Sequence, residues 1–257
     1  MLTIDLSGKI ALVLGGSRGI GAGIAKCLCR AGAFTVFTHT GNPAFRERLE
    51  KLLGEIRAVN GQASAVPLDA LDCTKTVELA DGLVREKGRI DILVCNVGRN
   101  LARPVEDMTV GDWRSFLDLN LSTAFYGVKA VIPHMVRQRY GRIILIGSSA
   151  VYDGGGGAAD YAAAKAGMVG LMKYLCRAYI RKGINTNVVH PCVIDTDLVR
   201  ERYSTEEQWN KLASQIPVGR TGTPEDVAGM VAYLASSWGD YIAGQEILLD
   251  GGRTLFR

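Results

Sequence analysis

Several familiar signals are missing from this chain. It has six cysteines (Cys27, Cys29, Cys73, Cys95, Cys176 and Cys192), but none are spaced Cys-x-x-Cys. They read as free, mostly buried thiols of a reducing compartment. Only three histidines are present, without paired ligand spacing, so a metal site has no sequence support. No run approaches the ~20 apolar residues needed to span a bilayer. The Met1–Leu6 start lacks a basic segment followed by an apolar one, so no secretory leader is read. A cytoplasmic protein without membrane association is expected. Charge of one sign is also missing. Thirty basic against 26 acidic residues leave +4, spread along the chain, which argues against nucleic acid and suits at most an anionic small molecule.

What is present is ordinary globular composition, 47% hydrophobic and 22% charged over 257 residues, a length that suits one large α/β domain spanning 1–257. Strand-like runs (Ile10–Leu14, Thr35–Thr38, Ala63–Leu68, Asp91–Cys95, Arg142–Ile146, Asn185–Val189, Glu246–Leu249) alternate with helical segments. The helices are expected at Gly19–Ala31, Ala44–Val59, Thr74–Lys87, Asp112–Gln138, Asp160–Lys182 and Pro224–Ser236. Strict alternation predicts a parallel sheet of about seven strands with helices on both faces. Asp153–Ala159, with four consecutive glycines, and Pro191–Thr205 interrupt the rhythm as loops after strand ends, the edge where open α/β sheets bind ligands.

Gly15-Gly16-Ser17-Arg18-Gly19-Ile20-Gly21 follows the first strand and opens the first helix. Glycines there permit a tight turn and let backbone N–H groups approach a pyrophosphate at the positive helix end. No Gly-Lys-Ser/Thr closes a nucleotide P-loop. Sites that prefer NAD place a carboxylate about 20 residues on, yet no acidic residue occurs between Asp5 and Glu47, and the second strand ends Thr38-His39-Thr40. Arg18 could pair with a 2′-phosphate. NADP(H) is therefore favoured, with NAD(H) as the alternative.

Tyr161 and Lys165, four residues apart on a helix, project from one face. A phenol ionises near ~10, and an ammonium nearby could lower that value by roughly 1–3 units, making it a usable proton donor and acceptor.

Taken in order, the glycine loop, Asp69, Cys95-Asn96-Val97-Gly98, Asn120, Ser148, Tyr161/Lys165 and the Pro191…Thr196 segment closely resemble the classical short-chain dehydrogenase/reductase family. The resemblance covers Gly8 to Gly252 and is nearest the branch of 3-oxoacyl-acyl-carrier-protein reductases and sugar or polyol dehydrogenases. It implies a single-domain, Rossmann-type doubly wound sheet and an oxidoreductase interconverting a carbonyl and a secondary alcohol. By resemblance, Tyr161 would exchange the proton and Lys165 would lower its pKa and hold the nicotinamide ribose. Ser148 would hydrogen-bond the reacting oxygen, and Asn120 would anchor a relay water. Asp69 with Ala70, and Asn96 with Val97 and Gly98, would flank the adenosine beside His39 and Thr40. Pro191, Ile194 and Thr196 would hold the nicotinamide.

The chain also departs from the family. Leu14 replaces a threonine whose hydroxyl commonly braces the loop, Cys95 and Val97 replace Asn and Ala, and Cys192 stands where glycine is usual. Tyr152, Gly154 and Cys192, with Ser148 and Tyr161, should border the substrate, beneath a loop or lid around 191–212. Arg99, Asn100 and Val199–Trp209 should lie there too, a mixture suited to a polar or anionic carbonyl compound. Arg139 and Lys182 match basic positions of carrier-protein reductases, so an acyl-carrier-protein or CoA thioester is the favoured substrate. A polyol, sugar or small hydroxy acid is the alternative, and a non-catalytic dinucleotide sensor a remote one. Relatives usually form homotetramers, and the same is expected here.

Overall fold

The computed structural model describes residues 3–255. The Met1–Leu2 start read for a leader and the last two residues of the 1–257 span lie outside the described residues. Seven strands form one sheet in the order β3-β2-β1-β4-β5-β6-β7, parallel throughout. They are β1 (Ile10–Leu14), β2 (Phe34–His39), β3 (Gln62–Pro67), β4 (Ile92–Cys95), β5 (Gly141–Ile146), β6 (Ile184–Pro191) and β7 (Glu246–Leu249). Both faces are covered, which is why β1 and β4 are apolar along their whole length and β5 from Ile143 to Ile146, while β6 buries Asn185, Thr186, Asn187 and His190 among its apolar residues. On one face Ala11, Val13, Val94 and Ile144 pack against α1 (Gly19–Arg30), α2 (Arg46–Ala58) and α10 (Pro224–Ala235). On the other, Leu12, Leu14, Leu93 and Leu145 meet α3 (Cys73–Lys87), α5 (Thr123–Gln138) and α7 (Ala159–Tyr179).

Three expectations are corrected. The single helix expected over Asp112–Gln138 is α4 (Val110–Leu117) and α5 joined by a wider π turn at Asp118–Ser122. The α-helix expected to reach Lys182 ends at Tyr179 and closes in a tighter turn, Ile180–Lys182. The connection after Pro191 is not all loop. It carries α8 (Asp197–Arg202) and leads into α9 (Glu206–Ser214), whose Thr205/Gln208 capping box fixes its start. The four glycines behave as expected. After the short α6 (Ala150–Asp153), Gly154, Gly156 and Gly157 take φ values of 64, 88 and 72, where a side chain would be strained. The loop is held to the segment after β4. Asn100 Nδ2 donates to the Gly156 carbonyl at 2.9 Å, and the Arg103 N–H to that of Gly157 at 2.8 Å.

Strand order reverses between β1 and β4, so the connections from these two strands leave in opposite directions and open a crevice at their carboxyl ends. Among the described residues no helix is long and apolar enough to cross a membrane, and no cluster of metal-ligating side chains occurs.

Candidate active site

A cleft of about 650 Å³ occupies that crevice. It is lined by Gly15, Ser17, Arg18, Gly19, Ile20, His39, Thr40, Asp69, Ala70, Asn96, Val97, Gly98, Tyr161, Lys165 and Thr196. These expected residues come from five strand ends and two helices. Thr38, Leu68, Arg99, Asn100, Leu119, Ile146, Gly147, Asp197 and Leu198 complete the walls.

The geometry of the glycine loop suits a phosphate group. Gly19 adopts φ 51, and a Cβ on Gly21 would lie 2.0 Å from the Gly15 carbonyl oxygen, so Gly21 serves close packing of α1 rather than the cleft wall. The first turn of α1 has no side-chain cap and no acidic residue, leaving its N–H groups and positive end for an anion. Asn96 Nδ2 donates to the Gly15 carbonyl at 2.7 Å, tying the loop to the end of β4. Leu14 does not leave the loop unbraced. It points into the core, where a Cβ on Gly127 would lie 2.5 Å from its Cδ1. Thr38 supplies the hydroxyl instead, its Oγ1 accepting the Gly15 N–H at 2.9 Å. Sequence reasoning passed over Thr38. Its one legible sign was a hydroxyl at the end of the strand paired with β1.

At the adenosine end, Arg18 is exposed with its guanidinium 4.9 Å from the Phe45 ring. His39 Nδ1 accepts the Gly41 N–H at 3.1 Å, and Asp69 Oδ1 accepts the Leu71 N–H at 3.0 Å, so both side chains also shape their turns. No carboxylate ends β2. An uncapped helix start, a cradle that no side chain could enter and a second strand that ends without a carboxylate together fit a nicotinamide dinucleotide.

At the other end, Lys165 is buried, and its Nζ donates to the Ile146 carbonyl at 2.7 Å and lies 5.7 Å from the centre of the Tyr161 ring. Burial pulls its pKa down to about 8. Tyr161 moves the other way. Burial raises the phenol above its ordinary value, a hydrogen bond with Ser148 opposes that rise, and nearby Cys192 adds to it. The expected lowering by Lys165 is therefore not what this structure carries, because the ammonium is turned to a backbone carbonyl and desolvation dominates. Ser148 Oγ also accepts the Ala150 N–H at 3.2 Å.

Other expected residues stand behind the cleft or away from it. Asn120 is fully buried in the π turn, its amide donating to the Arg99 and Phe116 carbonyls, both at 3.0 Å, and accepting the Arg99 N–H at 2.9 Å. It thereby fixes the chain after β4. Pro191 and Ile194 are buried. Cys192 is half-buried. The backbone twist after β6 falls on Val193, at φ 49, a costly conformation for a β-branched residue. It is held by the Ile194–Gly222 bridge and the Gly222 N–H to the Val193 carbonyl, 3.0 Å. Gly154 has nothing within contact of its Cβ position. Tyr152 does not face the cleft, and its hydroxyl turns to Glu246 Oε2 at 3.5 Å. Arg139 and Lys182 end α5 and the turn after α7, at the amino edge of the sheet, so the structure does not bring them to Tyr161. The 21 residues from Tyr161 to Lys182 correspond to roughly 30 Å of helix.

Known proteins match this chain over almost its whole length. A family model described as enoyl-(acyl carrier protein) reductase matches residues 15–254. The 3-oxoacyl-[acyl-carrier-protein] reductase FabG of Escherichia coli (strain K12) is 37% identical over 249 residues, 97% of this chain and 98% of that protein. Among solved structures, a dehydrogenase/reductase from Sinorhizobium meliloti 1021 shares 35% identity with a TM-score of 0.88, covering 98% of this chain and 97% of its own. A candidate NAD(P)-dependent gluconate 5-dehydrogenase from Beutenbergia cavernae, with NADP bound at low occupancy, shares 31% at a TM-score of 0.90, over 99% of this chain and 100% of its own. With its parallel sheet, its glycine cradle and its Ser148–Tyr161–Lys165 grouping, this chain belongs to the short-chain dehydrogenase/reductase family of oxidoreductases.

Proposed function

We propose that the protein interconverts a carbonyl and a secondary alcohol, with Tyr161 as acid and base and NADP(H) as the favoured cofactor, and that its substrate is a 3-oxoacyl thioester. The observation that carries the reaction class is the placement of Tyr161, close to Ser148 and one helical turn from buried Lys165, in the wall of a dinucleotide-shaped cleft. The cofactor, when bound, supplies or accepts the hydride. The remaining chemistry belongs to the chain. In reduction, oxygen gains negative charge as carbon is attacked, and the Ser148 hydroxyl and the Tyr161 phenol both donate to it. Burial keeps Tyr161 protonated at neutral pH, the state an acid needs. Lys165, with its pKa near 8, is mostly charged at pH 7. It can hold the ribose hydroxyls, and turned from the Ile146 carbonyl toward the phenol it would favour the phenolate left after transfer. Proton transfer of this kind contributes on the order of 10²–10⁴ in rate. Asn120 acts by holding Arg99 and the β4 loop in place.

NADP preference rests on Arg18 and on the absence of a carboxylate at the end of β2. The 191–212 segment, with α8 and α9, serves as the lid, and a homotetramer in the cytoplasm is the expected setting. The acyl-thioester reading is supported by the named relatives at 37% identity. A sugar-acid or polyol substrate is the second reading. It is favoured by the polar mouth of Arg99, Asn100 and Arg202, whose Nη1 is 3.5 Å from the Gly156 carbonyl, and by the distance of Arg139 and Lys182 from the cleft. Oxidation of NADPH with acetoacetyl-CoA, and reduction of NADP⁺ with gluconate, decide between them, with Tyr161→Phe as control. Turnover with the thioester that collapses in the control is expected, while unchanged turnover in Tyr161→Phe refutes the mechanism.

A further inference from the structure

Beyond the residues that line the cleft, His190 near the end of β6 lies fully buried directly behind Ser148. Its Nδ1 is 3.1 Å from the Ser148 backbone nitrogen and 3.0 Å from the Ser148 carbonyl oxygen. Gly147 makes that approach possible, since a Cβ there would lie 2.4 Å from Nδ1. On the far side of the ring Nε2 is buried without a hydrogen-bond partner, and Glu246 Oε2 is 3.8 Å away. The Tyr152 ring packs edge-on to the imidazole at 5.4 Å, and Lys173 Nζ pairs with the other Glu246 oxygen at 3.0 Å.

Neutral imidazole can accept at only one nitrogen. With its proton on Nε2, Nδ1 accepts the Ser148 N–H and the Nε2–H points toward Glu246. With both nitrogens protonated, Nδ1 must donate, to the Ser148 carbonyl, and the Ser148 N–H loses its acceptor. We propose that neutral His190 is a positioning residue that fixes the Ser148 backbone, and hence the aim of its hydroxyl, and that protonation of His190 against Glu246 turns the enzyme down in acid. The inference rests on the reading of Ser148 and Tyr161 given above. The charged and titratable groups facing the ring are Glu246 from β7, Tyr152 from α6 and Lys165 from α7, with Lys173 beyond the carboxylate. Burial above all, with Lys165, holds the imidazole below its ordinary value of 6.5, while the Ser148 hydrogen bond and Glu246 oppose that fall. The ring is therefore neutral at pH 7 and charges only in more acid solution.

The test is kcat against pH from 5 to 8 for the wild type, His190→Ala, His190→Asn, Glu246→Gln and Ser148→Ala, with NADPH affinity followed by fluorescence titration. The wild type should lose kcat in acid. His190→Ala should lower kcat on the order of tenfold with NADPH affinity unchanged. Asn carries an acceptor oxygen at the Nδ1 position but does not titrate, so His190→Asn should recover most of that loss and abolish the acid limb. Glu246→Gln, which removes the carboxylate favouring the imidazolium, should move the limb to lower pH. An acid limb kept in His190→Asn, or unmoved in Glu246→Gln, overturns the proposal. So does a ¹⁵N spectrum of the histidines showing the His190 proton on Nδ1 at pH 7.5. Ser148→Ala separates the two levels. If it loses turnover while His190 variants match the wild type, only the positioning role fails, and if it retains turnover the active-site reading itself fails.

Discussion

Lys165 should cost the folded protein stability, and Lys165→Met measures how much. The ammonium is buried, its one short contact is to the Ile146 carbonyl at 2.7 Å, and its pKa falls from 10.5 to about 8. A folded-state value below the unfolded one means that the unfolded chain binds more protons between these two limits. Stability then rises with pH across that window and is lowest when the group is charged in both states. Two and a half units correspond to ~3 kcal/mol of penalty at pH 7. Methionine removes that penalty but strands a buried carbonyl, which costs ~1–3 kcal/mol. The variant should therefore be as stable as the wild type or up to ~2 kcal/mol more stable, a gain of several degrees in Tm at this size, while turnover collapses. The cleaner measurement is the difference in urea-unfolding free energy between the two proteins at pH 7 and pH 9. The wild type should gain ~1 kcal/mol on the variant over that interval. The buried thiols and Tyr161 titrate in both proteins and cancel to first order. A variant less stable by more than ~2 kcal/mol at pH 7, or a difference that does not change with pH, would refute the argument.

Two further outcomes follow from the cofactor cleft. Arg18→Ala should weaken NADPH on the order of tenfold while leaving NADH within about twofold, as measured by fluorescence titration, because a charge-assisted hydrogen bond to phosphate is lost in one case only. Equal losses would count against the phosphate contact. Thr38→Val deletes the acceptor of the Gly15 N–H and should cost ~1–2 kcal/mol in urea unfolding, with several-fold weaker binding of both nucleotides and little change in kcat. Undiminished binding would mean that the Asn96 bond and the Gly16 N–H to the Thr38 carbonyl hold the loop without the hydroxyl.

What could be read from the sequence divides by whether the information is local. The alternation of apolar runs and helices was legible because the central strands β1, β4 and β5, buried on both faces, are largely apolar. The glycine loop was legible because its conformations admit few other residues. What stayed hidden depends on which strands become neighbours. Leu14 reads as a lost brace along the chain, yet β1 pairs with β2, and that register brings the Thr38 hydroxyl to the Gly15 amide. Tyr152 sits on the short helix that follows Ser148 and reads as substrate wall, but the β6–β7 pairing sets His190 and Glu246 beside it and draws its hydroxyl away. Arg139 and Lys182 match a basic pattern in order and spacing, but α5 and α7 run antiparallel to the strands, which carries their last residues to the edge opposite Tyr161.

The same distinction explains why the reaction class is easier to read here than the substrate. Proton transfer needs a phenol, an ammonium and a hydroxyl at fixed spacing on one helix and one strand end, and each is specified within the segment that carries it. On the proposed reading, substrate choice is made where three separate segments meet, namely the chain after β4, the glycine-rich turn and α8. Their junction is closed by contacts such as Asn100 to Gly156 and Arg202 to the same carbonyl. Each of those contacts joins residues dozens of positions apart, so it can change without altering any local pattern. That freedom lets one scaffold keep its chemistry while the mouth of the cleft changes, and it makes Arg99, Asn100 and Arg202 the residues whose exchange should shift substrate preference without abolishing hydride transfer.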